Sequence, residues 1–180
     1  MNRLFISLFI IFFLFVDIPA KAGISPKALQ KIKADIEKQI PALRESLIKE
    51  GLNKDHIDFS LDTFRIEHIT DKRLELDNSP TAVKATLNDM IFDYDKLMNK
   101  YFNKLLKLLS EDDKISLTTA QKTWIAYRDT EEQLINTLSK QQYSGGGAEQ
   151  SIISISIYAD LIENRAITIF DYYNDIVQEE

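Results

Sequence analysis

The sequence predicts an all-α fold: an antiparallel bundle of about four long helices, the first of them kinked. Three observations carry that expectation. Glycine and proline are scarce, 5 and 4 in 180 residues, so the chain has few places to turn and its elements must be long. Apolar residues recur at three- and four-residue steps, the spacing that lines one face of a helix. Cysteine is absent, so packing alone must hold the fold together. With 44% hydrophobic and 28% charged residues, the composition is that of one ordinary globular domain.

The elements follow in chain order. Met1-Asn2-Arg3 gives a short positive start, Leu4 to Val16 is an apolar run, and Ala20-Lys21-Ala22 is a small-x-small cleavage site. Residues 1–22 therefore read as a signal peptide cleaved after Ala22, and the protein as periplasmic or secreted. The run is well short of the roughly 20 residues of a membrane helix. No cysteine follows it to carry a lipid anchor, so no membrane span is expected after cleavage. Residues 23–180 read as a single helical domain, with an N-terminal arm over 23–76 and a helical core over 79–178.

In the arm, Ser25 is placed to cap, Pro26 takes the first helical position, and Leu29, Ile32, Ile36, Leu43 and Leu47 mark one face as far as Gly51, a suitable stop. Pro41 should kink or restart this helix, because its ring clashes with the preceding turn. Ile57, Phe59 and Leu61 alternate like a strand, whereas Leu61, Phe64 and His68 fit a helix. Helix is expected from about Asp62, and the spacing over 55–61 leaves strand and helix as alternatives.

In the core, Ser79-Pro80 opens a helix with Leu87, Met90, Tyr94, Leu97, Tyr101, Leu105 and Leu108 on one face. Ser110-Glu111-Asp112-Asp113 resembles a capping motif and starts another, with Leu117, Ala120, Trp124, Tyr127, Leu134 and Leu138 expected inward. Gly145-Gly146-Gly147 forces a loop, since glycine loses the most conformational freedom in a helix. The last helix is marked by Ile152, Ile155, Ala159, Ile162, Ala166, Ile169, Tyr173 and Ile176.

Several function classes drop out. Without cysteine there are no disulfides, iron-sulfur clusters or thiol nucleophiles. His56 and His68 lie too far apart in sequence for a recognisable metal motif. A net charge of −6 disfavours nucleic acid, whose phosphates demand clustered Lys and Arg, and suits a basic protein partner instead. There is no Gly-rich phosphate loop and no nucleophile elbow. No catalytic residue, metal or cofactor is predicted, and the chain does not read as an enzyme. The sequence leaves the oligomeric state open.

Three blocks concentrate polar chemistry: Asp95 to Tyr101, Ala120 to Asp129, and Tyr143 to Gly147. Gln121, Trp124 and Arg128, at i, i+3 and i+7, share a helical face, as do Asp95 and Asn99 at i, i+4. If the two faces meet, Arg128 can pair with Asp95 while Gln121 and Asn99 satisfy the remaining groups, with Trp124 packed alongside. Such a set serves helix register; alternatively, Arg128 and Asp129 line a pocket that grips a ligand. The loop of Tyr143, Ser144, Gly145, Gly146 and Gly147, with Glu149 beside it, is either a connector or a partner-binding tip. The acidic runs Glu111-Asp112-Asp113, Glu131-Glu132 and Glu179-Glu180 can steer a basic partner inward.

Together these blocks resemble the lysozyme-inhibitor LprI-like family of small secreted bacterial proteins, whose members pair a D-x-x-L-N helix with A-Q-x-x-W-x-x-[YF]-R-D and a Gly-rich loop. The resemblance covers roughly Thr81 to Phe170, with Asp62 to Glu67 similar to the lead-in of a cysteine-free subgroup. Glu132 and Tyr158 stand about where many members carry cysteines, so the disulfide pairing of those members is out of reach here. The resemblance implies a binding protein that blocks a basic muramidase by occupying its substrate cleft. The alternative is an envelope structural or assembly module that docks a partner through an exposed helix stripe such as Ile91, Met98, Phe102 and Leu106.

Overall fold

A computed structural model describes residues 23–178. The leader read at residues 1–22 and the acidic pair Glu179-Glu180 lie outside the described residues. Among those described, every regular element is a helix: α1 (Pro26–Glu37), α2 (Ile40–Lys49), α3 (Lys54–Leu76), α4 (Pro80–Leu108), α5 (Glu111–Leu138), the single turn α6 (Gln141–Ser144) and α7 (Gly147–Gln178). The all-α expectation holds, but there are six helices of ten residues or more rather than about four.

Local chemistry sets the boundaries. Ser25, Asn53, Ser79 and Ser110 each accept a hydrogen bond from the backbone N–H three residues on, capping α1, α3, α4 and α5. Pro41 sits in the first turn of α2 and splits the N-terminal helix in two, where its missing N–H costs nothing. The helix α2 stops at Gly51, whose φ of +81° favours glycine. Gly51 N–H donates to Ile48 O and Leu52 N–H to Leu47 O, the paired bonds of a Schellman ending.

The region over 55–61 is helical throughout, which decides between the two alternatives in favour of helix. Ile57 and Leu61 bury against Ile40, while Phe59 buries in the main core. Residues two apart on a helix project about 200° apart. A helix covered on both sides therefore shows the alternation of a strand.

The main core is the seam between α4 and α7. From α4 come Tyr94, Leu97, Met98, Tyr101 and Leu105; from α7 come Ile162, Ala166, Ile169, Phe170 and Tyr173; α3 adds Phe59. Phe59 stacks on Phe170 at 3.8 Å between ring centroids, and Tyr101 meets both edge-on at 5.4 and 5.0 Å, the arrangement the ring quadrupoles prefer. Each such buried side chain is worth about 1.5–3 kcal/mol.

The polarity of the helices also differs from a simple antiparallel bundle. Helices α3 and α4 are antiparallel, since Asp62 pairs with Lys100 and Arg73 with Asp89. In contrast, α4 and α7 run parallel, with Tyr94 bonded to Glu163 and Tyr101 against Phe170. The intervening α5 returns the chain to its starting end, so the helices either side of it must point the same way. Helix α3 flanks one side of the α4–α7 pair and α5 the other, and α1 and α2 rest on α3.

Polar ties lock α3 to this pair. The Asp55 carbonyl accepts from the Tyr101 hydroxyl at 3.1 Å, and its carboxylate accepts from the Tyr173 hydroxyl and the Lys104 ammonium. The stripe Ile91, Met98, Phe102 and Leu106 is not an exposed docking face. Met98 is buried, and Ile91 and Phe102 pack against the core, because α7 is long enough to cover that side of α4.

Candidate functional site

Helix α5 carries the densest polar motif and sits least deeply. Gln121 is its one buried residue. The inward face is Leu117, Gln121, Trp124 and Arg128, whereas Ala120, Tyr127, Leu134 and Leu138, expected inside, are exposed. This correction has a polar cause: α5 seats on α7 through Gln121. The Gln121 side-chain carbonyl accepts two bonds from the Arg165 guanidinium, at 3.0 and 2.9 Å, while its amide reaches Met98 Sδ at 3.5 Å. Centring the helix on Gln121 turns the Tyr127–Leu134–Leu138 side toward solvent.

Gln121, Trp124 and Arg128 do share one face. Trp124 lies between two guanidinium groups, Arg128 and Arg165, each 5.6 Å from its ring centroid, a favourable arrangement for a cation beside an indole. Arg165 was not among the sequence candidates. Its place on the helical wheel beside Ile162 and Ile169 was the available signal.

The expected Arg128–Asp95 pair does not form. Arg128 bonds the adjacent Asp129 at 2.6 and 2.9 Å, and Asp95 instead accepts the Asn99 amide at 3.0 Å. The reason is geometric: α5 leans on α7, leaving its face apart from that part of α4. Electrostatics still joins the set. Burial pulls Arg128 down, but the Asp129 bond and the charges of Tyr158, Asp129 and Asp95 outweigh it and raise its pKa. Burial first, then the carboxylates Glu132, Asp129 and Asp95, push Tyr158 up against the opposing pull of Arg128. Burial pulls Arg165 down.

Above this network α5 and α4 diverge around a cleft of about 270 Å³. Lys84, Asn88 and Ile91 form the α4 wall, Glu132, Ile135 and Asn136 the α5 wall, and Ser151, Ile155 and Tyr158 belong to α7. Glu132 and Tyr158 therefore border one cavity on facing helices. Nothing in the spacing of Glu132 and Tyr158 along the sequence marks that cavity.

The tip lies at the far end of α5, about 15 Å along the helix axis from Arg128 at 1.5 Å per residue. Gly145, Gly146 and Gly147 all have positive φ, +83°, +64° and +91°, which a side chain would strain. Gly146 is held most tightly, since an added Cβ would stand 3.3 Å from the Gln141 backbone. The Ser144 hydroxyl is engaged within the loop, accepting from Gly146 N–H at 3.3 Å and donating to Lys140 O at 3.4 Å. Tyr143 projects, 61% exposed, and Glu149 is exposed too. Leu134 and Leu138 near the end of α5, and Ile153 and Ile157 on α7, are also exposed.

Among the described residues no group of three or more His, Asp or Glu is placed to hold a metal ion, and no helix is long and apolar enough to cross a membrane. No curated protein and no solved structure matches the chain. A family model described as "Lysozyme inhibitor LprI" matches residues 76–168, just over half of the sequence and the span from the end of α3 to the core of α7. The helices that build the tip, the cleft and the Gln121–Arg165 seat are those of the match, and the chain belongs to the LprI lysozyme-inhibitor family.

Proposed function

We propose that this protein, exported by the leader read at residues 1–22, inhibits a cationic lysozyme by setting the hairpin end of α5–α7 over the enzyme's substrate cleft. The observation that carries this reading is the exposure of Tyr143 at the triglycine loop, with Leu134 and Leu138 on α5 and Ile153 and Ile157 on α7 also open to solvent. Membership of an inhibitor family agrees with it, and the net charge of −6 speeds encounter with a basic enzyme.

A muramidase cleft is lined by two carboxyl groups, so the plug must bring donors rather than carboxylates. With the Ser144 hydroxyl occupied inside the loop, Tyr143 is the leading group, and the exposed Lys140 three residues before it adds a cation to the same end. Glu149 would add like charge and belongs at the rim. The glycines keep the tip narrow enough to enter a groove. Binding alone accounts for inhibition, with no chemistry asked of the chain.

Mature protein is expected to slow lysozyme clearing of a cell-wall suspension. Replacing residues 143–147 with a rigid linker is expected to abolish the effect while the helical circular dichroism persists. Unimpeded clearing at large molar excess over several lysozyme types would refute the proposal.

A further inference from the structure

The cleft between α4, α5 and α7 has a charge arrangement that tip docking does not explain. Its lining has two charged side chains, Lys84 on α4 and Glu132 on α5. They are of opposite sign and stand on different walls, and neither forms an ion pair among the described residues. Eight other lysines of the described residues, Lys100 and Lys114 among them, are drawn onto nearby carboxylates, those two at 2.7 and 2.6 Å. Here an ammonium and a carboxylate line one cleft without pairing.

We infer that this cleft is a binding site for a small zwitterion of amino-acid to dipeptide size, its carboxylate taken by Lys84 and its ammonium by Glu132. A ligand carrying both charges completes both pairs at once, whereas an anion or a cation alone would leave one wall unmatched. The neutral groups fit the same class. Asn88 and Asn136 supply amide donors and acceptors for a peptide unit, and the Tyr158 and Ser151 hydroxyls lie along α7.

Size narrows the choice further. A cleft of about 270 Å³ lies just below the usual range for small-molecule sites, roughly 300–1,000 Å³, and so favours a small ligand. A nucleotide would find a single cation for its phosphates. Polar walls also account for the gap itself, since α4 and α5 have little to gain from closing on groups that water already satisfies. The inference stands apart from lysozyme inhibition, because the tip and the cleft employ different side chains.

The test is a nuclear magnetic resonance titration of the mature protein with alanylalanine, its N-acetyl form, its C-terminal amide and, as a sugar control, diacetylchitobiose. Saturable shifts are expected for the dipeptide, confined to residues 84–91, 132–139 and 151–158, with Kd below about 1 mM and each blocked form weakened at least about tenfold. Lys84→Met should erase the preference for a free carboxylate and Glu132→Gln that for a free ammonium, with the helical spectrum of both variants intact. The inference is overturned if alanylalanine gives no saturable shift, if the blocked forms bind equally well, or if only the sugar binds. Lysozyme clearing, measured on the same variants, reports separately on the tip.

Discussion

Helix α7 packs against α4 on one side and α5 on the other, and the two seams are made of opposite materials. Toward α4 it offers Ile162, Ala166, Ile169, Phe170 and Tyr173, which interlock with Tyr94, Leu97 and Tyr101 in a closed aromatic core. Toward α5 it offers Arg165 to a buried Gln121, with a cleft opening beyond. The first seam stabilises; the second is thin, polar and accessible. One helix thus separates the two tasks by face: a rigid seam can support an open one, as a scaffold supports a loop.

The largest effect should come from breaking the closed seam. Tyr101 is fully buried and touches Phe59, Phe170 and Tyr173. Tyr101→Ala is expected to cost about 3–5 kcal/mol in urea unfolding, the usual price of an aromatic cavity. Tyr101→Phe keeps the packing and removes only the bond to the Asp55 carbonyl, for about 1 kcal/mol. A small loss for the alanine variant would show that the aromatic core is not the main source of stability.

Asp55 gives the same seam a pH dependence. Burial tends to raise its pKa, but the bonds from Lys104 and Tyr173 and the charges of Lys104 and Lys54 outweigh that and depress it. Its contribution is therefore present above the ordinary value of 3.8 and is lost as pH falls through the folded-state value. Asp55→Asn should cost about 1.5–3 kcal/mol at pH 7, as for a bond to a charged group, and flatten the acid limb of a stability–pH curve. Glu163 has the opposite sign: burial, with Glu67 and Asp160 nearby, raises it against the pull of the Tyr94 hydroxyl. Its contribution is complete below 4.5 and is lost as pH rises through the folded value. Glu163→Gln should therefore flatten the curve on that side, and a steeper one would contradict the assignment.

The open seam should respond more gently and with a different signature. Gln121→Leu leaves the half-buried Arg165 guanidinium without its acceptor, an expected loss of about 1–3 kcal/mol. Arg165→Met in the same chain should recover much of it, since replacing both partners by apolar groups is often neutral. Additive losses in that double-mutant cycle would mean that the Gln121–Arg165 bonds do not couple the helices.

The two seams were also unequally legible in the sequence. Tyr94, Leu97, Tyr101, Ala159, Ile162, Ala166 and Ile169 repeat with the helical period and are buried as read, because a seam made of apolar residues announces itself by spacing. The α5 seam did not, since its key is a glutamine held by an arginine 44 positions away in sequence. Judged by hydrophobicity alone, Tyr127, Leu134 and Leu138 outranked Gln121 and turned the helix the wrong way. Periodicity was ambiguous at Ile57, Phe59 and Leu61 for a different reason, burial on two sides. The polar blocks around Trp124 and the triglycine loop were found, but the cleft was not, because its walls are contributed by three helices and only the fold brings them together.

The smallest stability effect is expected where α5 is most exposed. Leu134 and Leu138 are 48% and 51% accessible, so Leu134→Ser with Leu138→Ser should move unfolding by no more than about 0.5 kcal/mol per site, the range of ordinary surface changes. If these leucines are there to meet a partner, the same double change should weaken lysozyme inhibition well beyond its effect on folding, since desolvated apolar contacts dominate interfaces. Comparing the inhibition curve with the unfolding midpoint for this one variant separates the two explanations. Loss of inhibition with an unchanged midpoint places the two leucines at the contact. A lowered midpoint with inhibition retained would mean that the leucines serve the fold, and that the open seam is more closed in solution than its exposure implies.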